Sequence, residues 1–231
     1  MYLDWSYVLM VLPAVLFAMW ANRRVSRVFQ KYQNTPSQRR ITGAQAARQI
    51  LDANGLQSVP IDQITGSLTD HYDPIANVVR LSNAVYGSTS TASIGVACHE
   101  VGHALQYADG YAPIKVRASI IPLTNFGSKL AMPLIIAGLI IGSFSYYFTY
   151  LAYVGIVLFG ICTLLQLLTL PVEFNASRRA LESIQQYRIL NESELGGAKE
   201  VLDAAALTYV AALAVSLMQL LRFIMILRRR R

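Results

Sequence analysis

Residues Ser88 to Asp109 read STSTASIGVACHEVGHALQYAD. The segment opens in hydroxyl residues that cap helix N-termini and stops before Gly110, a helix terminator, so it predicts one helix. Inside it stand His99, Glu100, Val101, Gly102 and His103. Residues four apart share a helical face, so the two imidazoles can bind one metal ion, while Glu100, next to the first ligand, can reach a water molecule at that ion. This is the HExxH arrangement, and zinc is the ion it points to. Gly102 in mid-helix costs about 1 kcal/mol relative to Ala, and close packing against its backbone is one reason to carry it. A helix with two surface histidines is the plain alternative; it leaves both the spacing and Glu100 without a purpose.

Working outward, the chain upstream reads as a small α+β unit. Thr42 opens TGAQAARQILDANGL, with apolar positions Ala46, Ala47, Ile50 and Leu51 and a terminal Asn54-Gly55, which predicts a helix of about three turns. Three short β-type runs follow, Val59 to Ile64, Ser67 to His71 and Val78 to Leu81, separated by Gly66 and the turn-forming Asp73-Pro74. The last of these is expected to offer an open edge to which an extended peptide can add, its plain alternative being an interior strand.

Charge divides the rest of the chain. Of 231 residues, 20 are Lys or Arg and 13 Asp or Glu. None falls in the 18 residues between Asp4 and Arg23, the 43 between Lys129 and Glu173, or the 18 between Asp203 and Arg222. Apolar runs of about 18 or more residues can cross a bilayer, which makes a wholly soluble globular protein a poor reading. The first run lacks the basic start and small-residue cleavage site of a signal peptide and is read as an anchor. The 43-residue run is twice too long for one span and is read as a hairpin turning within Ser143 to Tyr150, where Phe144, Tyr146, Tyr147 and Tyr150 form an interfacial cluster. The stretch from Asp109 to Ala131 leads from the HExxH helix into the membrane.

This gives a transmembrane anchor at residues 1–22, an α+β domain at 23–118 and a two-span membrane hairpin at 119–172. A third-ligand helix and soluble segment at 173–203, a fourth apolar helix at 204–227 and a basic tail at 228–231 complete the division. Residues 23 to 118 and 174 to 203 then share one side, whose Arg23, Arg24, Arg27, Lys31, Arg39, Arg40, Lys115, Arg117, Arg178, Arg179, Arg188 and Lys199 make it cytoplasmic. Arg228 to Arg231 oppose that topology unless the last segment is re-entrant or lies along the surface. The net charge of +7 fits a membrane protein better than a nucleic-acid binder, because no basic helix with interleaved aromatics occurs in the soluble part. Cys98 and Cys162 fall in different settings, which argues against a disulfide and for a reducing compartment.

Catalytic zinc normally has three protein ligands, so a third is required. Asp109 lies six residues after His103, but that geometry needs a helix-breaking glycine at position 106, which is Gln106. His71 precedes a turn and reads more readily as a local hydrogen-bonding residue. Glu173 is favoured: it is the first charge after the hairpin and begins the helical pattern EFNASRRALESIQQYRIL. Its plain alternative is a carboxylate at a helix N-terminus or paired with Arg178.

The run GSLTDHYDPIANVVRLS, the helix with HEVGHALQ, and PVEFNASRRA together resemble the bacterial membrane-bound neutral zinc metallopeptidases of the YugP type, over nearly the whole chain and in the same order. The resemblance implies one Zn2+ bound by His99, His103 and Glu173, with Glu100 as base. It implies a membrane-embedded peptidase of the glutamate-ligand zincin group. With the runs read above, the fold expected is an α+β zincin-like soluble domain combined with a helical bundle of about four spans, in the bacterial inner membrane, with the charge pattern setting the active site on the cytoplasmic side. HtpX-like membrane proteases are similar more distantly. Their second motif, Glu-x-x-Ala-Asp, has Ser177 here in place of the Asp, so Ser177 or Asn175 is left to orient a histidine.

The expected activity is a zinc-dependent endopeptidase acting on peptides or membrane-protein segments at the lipid bilayer, with no nucleic acid involved. Zinc would acidify water, Glu100 would move the proton, and Tyr72, His71 or Arg178 would steady the oxyanion. The rival from another class is a non-catalytic membrane protein with a structural or sensing zinc site.

Overall fold

The computed structural model describes residues 5–66 and 69–229. The helices are α1 (Leu12–Gln33, preceded by a π-helical turn at Tyr7–Val11), α2 (Gly43–Ala53), α3 (Asn83–Tyr86), α4 (Thr91–Ala108), α5 (Ala112–Ile141), α6 (Thr149–Gln186) and α7 (Glu192–Arg228). Three strands, β1 (Ile61–Ile64), β2 (His71–Asp73) and β3 (Val78–Ser82), form one small sheet. The fold is thus mostly helical. Four helices, Tyr7–Gln33, Ala112–Ile141, Tyr146–Gln186 and Glu192–Arg228, are long and apolar enough to cross a membrane.

The chain divides into two compact units. One comprises Ala21–Ile114 and Pro171–Leu207. In it, Thr42 caps α2 through a reciprocal box: its hydroxyl accepts from the Gln45 N–H, and the Gln45 side chain accepts from the Thr42 N–H. Gly55 at φ +76° then turns the chain out of the helix. In the sheet, β3 lies in the middle, parallel to β1 and antiparallel to β2. Asp73 holds the β2–β3 hairpin by accepting the N–H groups of Ile75 and Ala76 and pairing with Arg80. Those hydrogen bonds, first the Ala76 amide and then Arg80, hold its carboxyl down at about 2. Ser90 caps α4 by accepting from the Ser93 N–H. Ile50, Leu51, Val79, Leu81, Ile94, Val101 and Ile184 are buried in one core, each contributing on the order of 1.5–3 kcal/mol.

The other unit comprises 5–20, Lys115–Leu170 and 208–229. It is built on small residues: a Cβ on Gly155 would meet the Ala131 carbonyl at 2.7 Å, and one on Gly138 would collide with the Ala152 backbone. Buried Thr163 and Ser216 bond each other at 2.7 Å. Arg222 lies 5.3 Å from the centre of the Tyr7 ring and 5.8 Å from that of Phe223, so aromatic faces cover its charge. Cys98 and Cys162 are free thiols.

Several sequence expectations change. The β3 segment has a neighbour on each side and is not an edge strand; its nearly unbroken Val78-Val79-Arg80-Leu81 run is what a strand covered on both faces shows. The second strand, read over Ser67 to His71, lies at His71–Asp73, where the Asp73 turn fixes its pairing; Ser67 and Leu68 lie outside the described residues. Glu173 does not start a helix, because α6 runs without a break from Thr149 through Pro171 to Gln186. The stretch from Ala112 is helical throughout as part of α5. Residues 230 and 231 of the basic tail also lie outside the described residues.

Candidate metal centre

Helices α4 and α6 cross where Gly102 lies against Ala176. A Cβ at Gly102 would stand 2.5 Å from the Ala176 carbonyl oxygen and 3.2 Å from its Cα. The missing side chain therefore lets two backbones touch between the two histidines of α4. The touching brings Glu173, one turn before Ala176 on α6, to His99 and His103.

Glu173 Oε2 is 3.3 Å from His99 Nε2 and 3.5 Å from His103 Nε2. One ligand atom from each of the three residues lies within 4.8 Å of the other two. Tetrahedral zinc with nitrogen and oxygen ligands at about 2.0–2.2 Å spaces them about 3.3–3.6 Å apart, and the two distances from Glu173 fall in that range. Both histidines turn their other nitrogen to a neighbour: His99 Nδ1 is 3.1 Å from Ser177 Oγ, and His103 Nδ1 is 3.0 Å from Gln106 Oε1. Burial by itself would lower the pKa of His103, but the carboxylates of Glu173 and Glu100 outweigh it and raise the value. The same negative field attracts a cation.

Glu100, next to His99 in sequence, is buried, and its Oε2 accepts the Tyr72 main-chain N–H at 3.1 Å. A strand of the sheet thus orients the carboxylate.

Residues 7–228 match the family described as "Putative neutral zinc metallopeptidase". The chain belongs to this metallopeptidase family. It is also 46% identical over 220 residues to "Putative membrane protease YugP" of Bacillus subtilis (strain 168), an alignment covering 95% of this chain and 96% of that protein. No solved structure matches it. Zinc is the ion that the family implies, and His99, His103 and Glu173 form a group that could hold it.

The remaining candidates separate. Tyr72 touches Glu100 through its backbone, while its hydroxyl donates to Asn77 Oδ1 at 2.6 Å; burial first, then neighbouring Tyr107 and Asp73, raise its pKa. His71 is exposed, with Nδ1 2.7 Å from the Thr69 carbonyl, a local contact. Arg178 is exposed and faces Glu182 at 3.9 Å. Asp109 pairs with Arg179 and is not among the grouped ligands. Ser177 and Asn175 both join the site's hydrogen bonding, Asn175 by accepting from Gln106 and Arg179 at 2.9 Å each. Gln106 and Arg179 were not singled out as site residues by the sequence. The signal for Gln106 was present, three residues after His103 and hence on the same helical face.

Proposed function

We propose that this chain is a membrane-embedded, zinc-dependent endopeptidase, with one ion held by His99, His103 and Glu173 and with Glu100 as general base. The observation that carries it is the convergence of two imidazole nitrogens and one carboxylate oxygen within 4.8 Å, supplied by two helices 70 residues apart at His103 and Glu173. Family membership supports the same reading. Three protein ligands leave a tetrahedral position for chemistry, which a closed structural site does not.

When bound, zinc supplies a Lewis acid that polarises a peptide carbonyl and acidifies water near neutral pH. The chain's own groups do the rest. Glu100, oriented by the Tyr72 N–H, takes a proton from the attacking water and returns it to the leaving amine. Since β2 is an outer strand and Tyr72 faces Glu100 from it, a substrate peptide added along that strand would pass the base in extended form. The arrangement is that of a zincin-like catalytic helix, with the third ligand on a second helix. We place the site on the cytoplasmic face of the cell membrane, on the side where Arg23, Arg24, Arg27, Arg178 and Arg179 cluster near the apolar runs. Peptides and juxtamembrane segments of membrane proteins are the substrates.

Zinc analysis of purified wild type and Glu173→Ala tests the ligand set. One zinc per wild-type chain and its loss in the variant are expected. Undiminished zinc in Glu173→Ala would remove this residue from the ligand list.

A further inference from the structure

The hydrogen bonds around Gln106 have a direction that their chemistry dictates. Gln106 is wholly buried, and its side-chain nitrogen lies 2.8 Å from the Val172 carbonyl oxygen and 2.9 Å from Asn175 Oδ1. A carbonyl can only accept, so the Gln106 atom facing Val172 must be the NH2 group. Asn175 Oδ1 also receives Arg179 Nε–H at 2.9 Å; a guanidinium can only donate, so the Asn175 atom must be oxygen. Arg179 is in turn held by Asp109. With both its hydrogens directed at these oxygens, Gln106 has only Oε1 left for His103, 3.0 Å from Nδ1. An oxygen there requires Nδ1 to carry the proton. His103 Nε2, the atom facing Glu173, then holds the lone pair that a metal needs.

From this we infer that Gln106 is a positioning residue that fixes His103 as the Nδ1–H tautomer, its own orientation set by the Val172 carbonyl and by the Asp109–Arg179–Asn175 chain. The inference rests on the proposed zinc site. A neutral amide here takes the place of the carboxylate that commonly orients a metal-binding histidine. The same amide bonds the backbone one residue before Glu173, so a single side chain sets two of the three ligands. His99 has no such lock, since the Ser177 hydroxyl facing its Nδ1 can donate or accept.

The experiment compares wild type, Gln106→Met, Asn175→Asp, Asn175→Leu and Glu173→Ala as full chains in detergent. It measures the zinc dissociation constant and, with 15N-labelled histidine, solvent exchange of the His103 Nδ1–H in the zinc-loaded protein. The chain's three histidines make that spectrum assignable. Gln106→Met is expected to weaken zinc about 10- to 100-fold and to expose the Nδ1–H to exchange. Asn175→Asp, which still accepts from both Gln106 and Arg179, should keep the His103 Nδ1–H protected from exchange as in wild type. Asn175→Leu should weaken zinc less than Gln106→Met does, because Val172 still holds the amide, and it serves as the test if Gln106→Met does not fold. Wild-type zinc affinity with a protected Nδ1–H in Gln106→Met, or in Asn175→Leu should that be the variant that folds, would overturn the inference. If Glu173→Ala loses zinc in that case, the proposed zinc site itself still stands. A wild type that binds no zinc would overturn both.

Discussion

Helix α6 makes two close crossings, and the residues around them differ in kind. At Ala176 it touches Gly102 of α4, surrounded by histidines, carboxylates and amides. At Ala152 and Gly155 it touches Gly138 and Ala131 of α5, inside the unit formed by the apolar runs. Between helices in lipid, apolar side chains gain little by meeting each other, so close backbone contact and van der Waals packing have to hold the pair. At the first crossing, the same close approach sets the spacing of the proposed metal ligands. One device therefore serves stability in one place and chemistry in the other. Damage at the first crossing should appear in zinc and turnover, and damage at the second in melting.

The largest effect is expected from Gly102→Val. Its side chain would meet the backbone of Ala176, which cannot swing aside as a flexible side chain could. Separating α4 from α6 by even about 1 Å is expected to lower peptide turnover at least 100-fold, with zinc lost from a chain that remains helical by circular dichroism. Retained zinc and activity would dissolve the distinction between the crossings. Gly138→Val comes next: overpacking against Ala152 should cost about 1–3 kcal/mol, read as a lower melting temperature in detergent, while zinc per folded chain stays at the wild-type level. Ser177→Ala removes the only hydroxyl facing His99 Nδ1 among the described hydrogen bonds, and a loss of about tenfold in zinc affinity is expected. Smallest is Thr163→Val, which breaks the bond to Ser216; hydrogen bonds between membrane helices average about 0.6 kcal/mol, so the melting temperature should shift slightly and the zinc affinity should stay unchanged. A zinc effect from Thr163→Val larger than that from Ser177→Ala would reverse the comparison.

What could be read from the sequence depended on the range of the interaction. The HExxH spacing is local, and α4 carries both histidines on one face as the pattern implies. The apolar runs are also local, and long helices occupy all three of them. Glu173 stood out as the first charge after 43 uncharged residues, and the structure sets its carboxylate beside both imidazoles, although from the interior of a helix and not from its start. Pro171 lies inside that helix, and in a long apolar helix its missing N–H is tolerated. Strand order was not legible, because Val78 to Ser82 pairs with residues on both sides and no local pattern names its neighbours. Nor was the part played by Arg179 legible, since neighbouring side chains on a helix diverge and it is the approach of Asp109 and Asn175 that engages Arg179 while Arg178 faces Glu182.

The central claim is that this site hydrolyses peptide bonds with Glu100 as its base. Turnover of a casein-derived peptide by zinc-loaded wild type and by Glu100→Gln tests it most directly. The account predicts one zinc per chain in both proteins and a rate about 100- to 10,000-fold lower in the variant. Equal turnover by the two zinc-loaded proteins would contradict it.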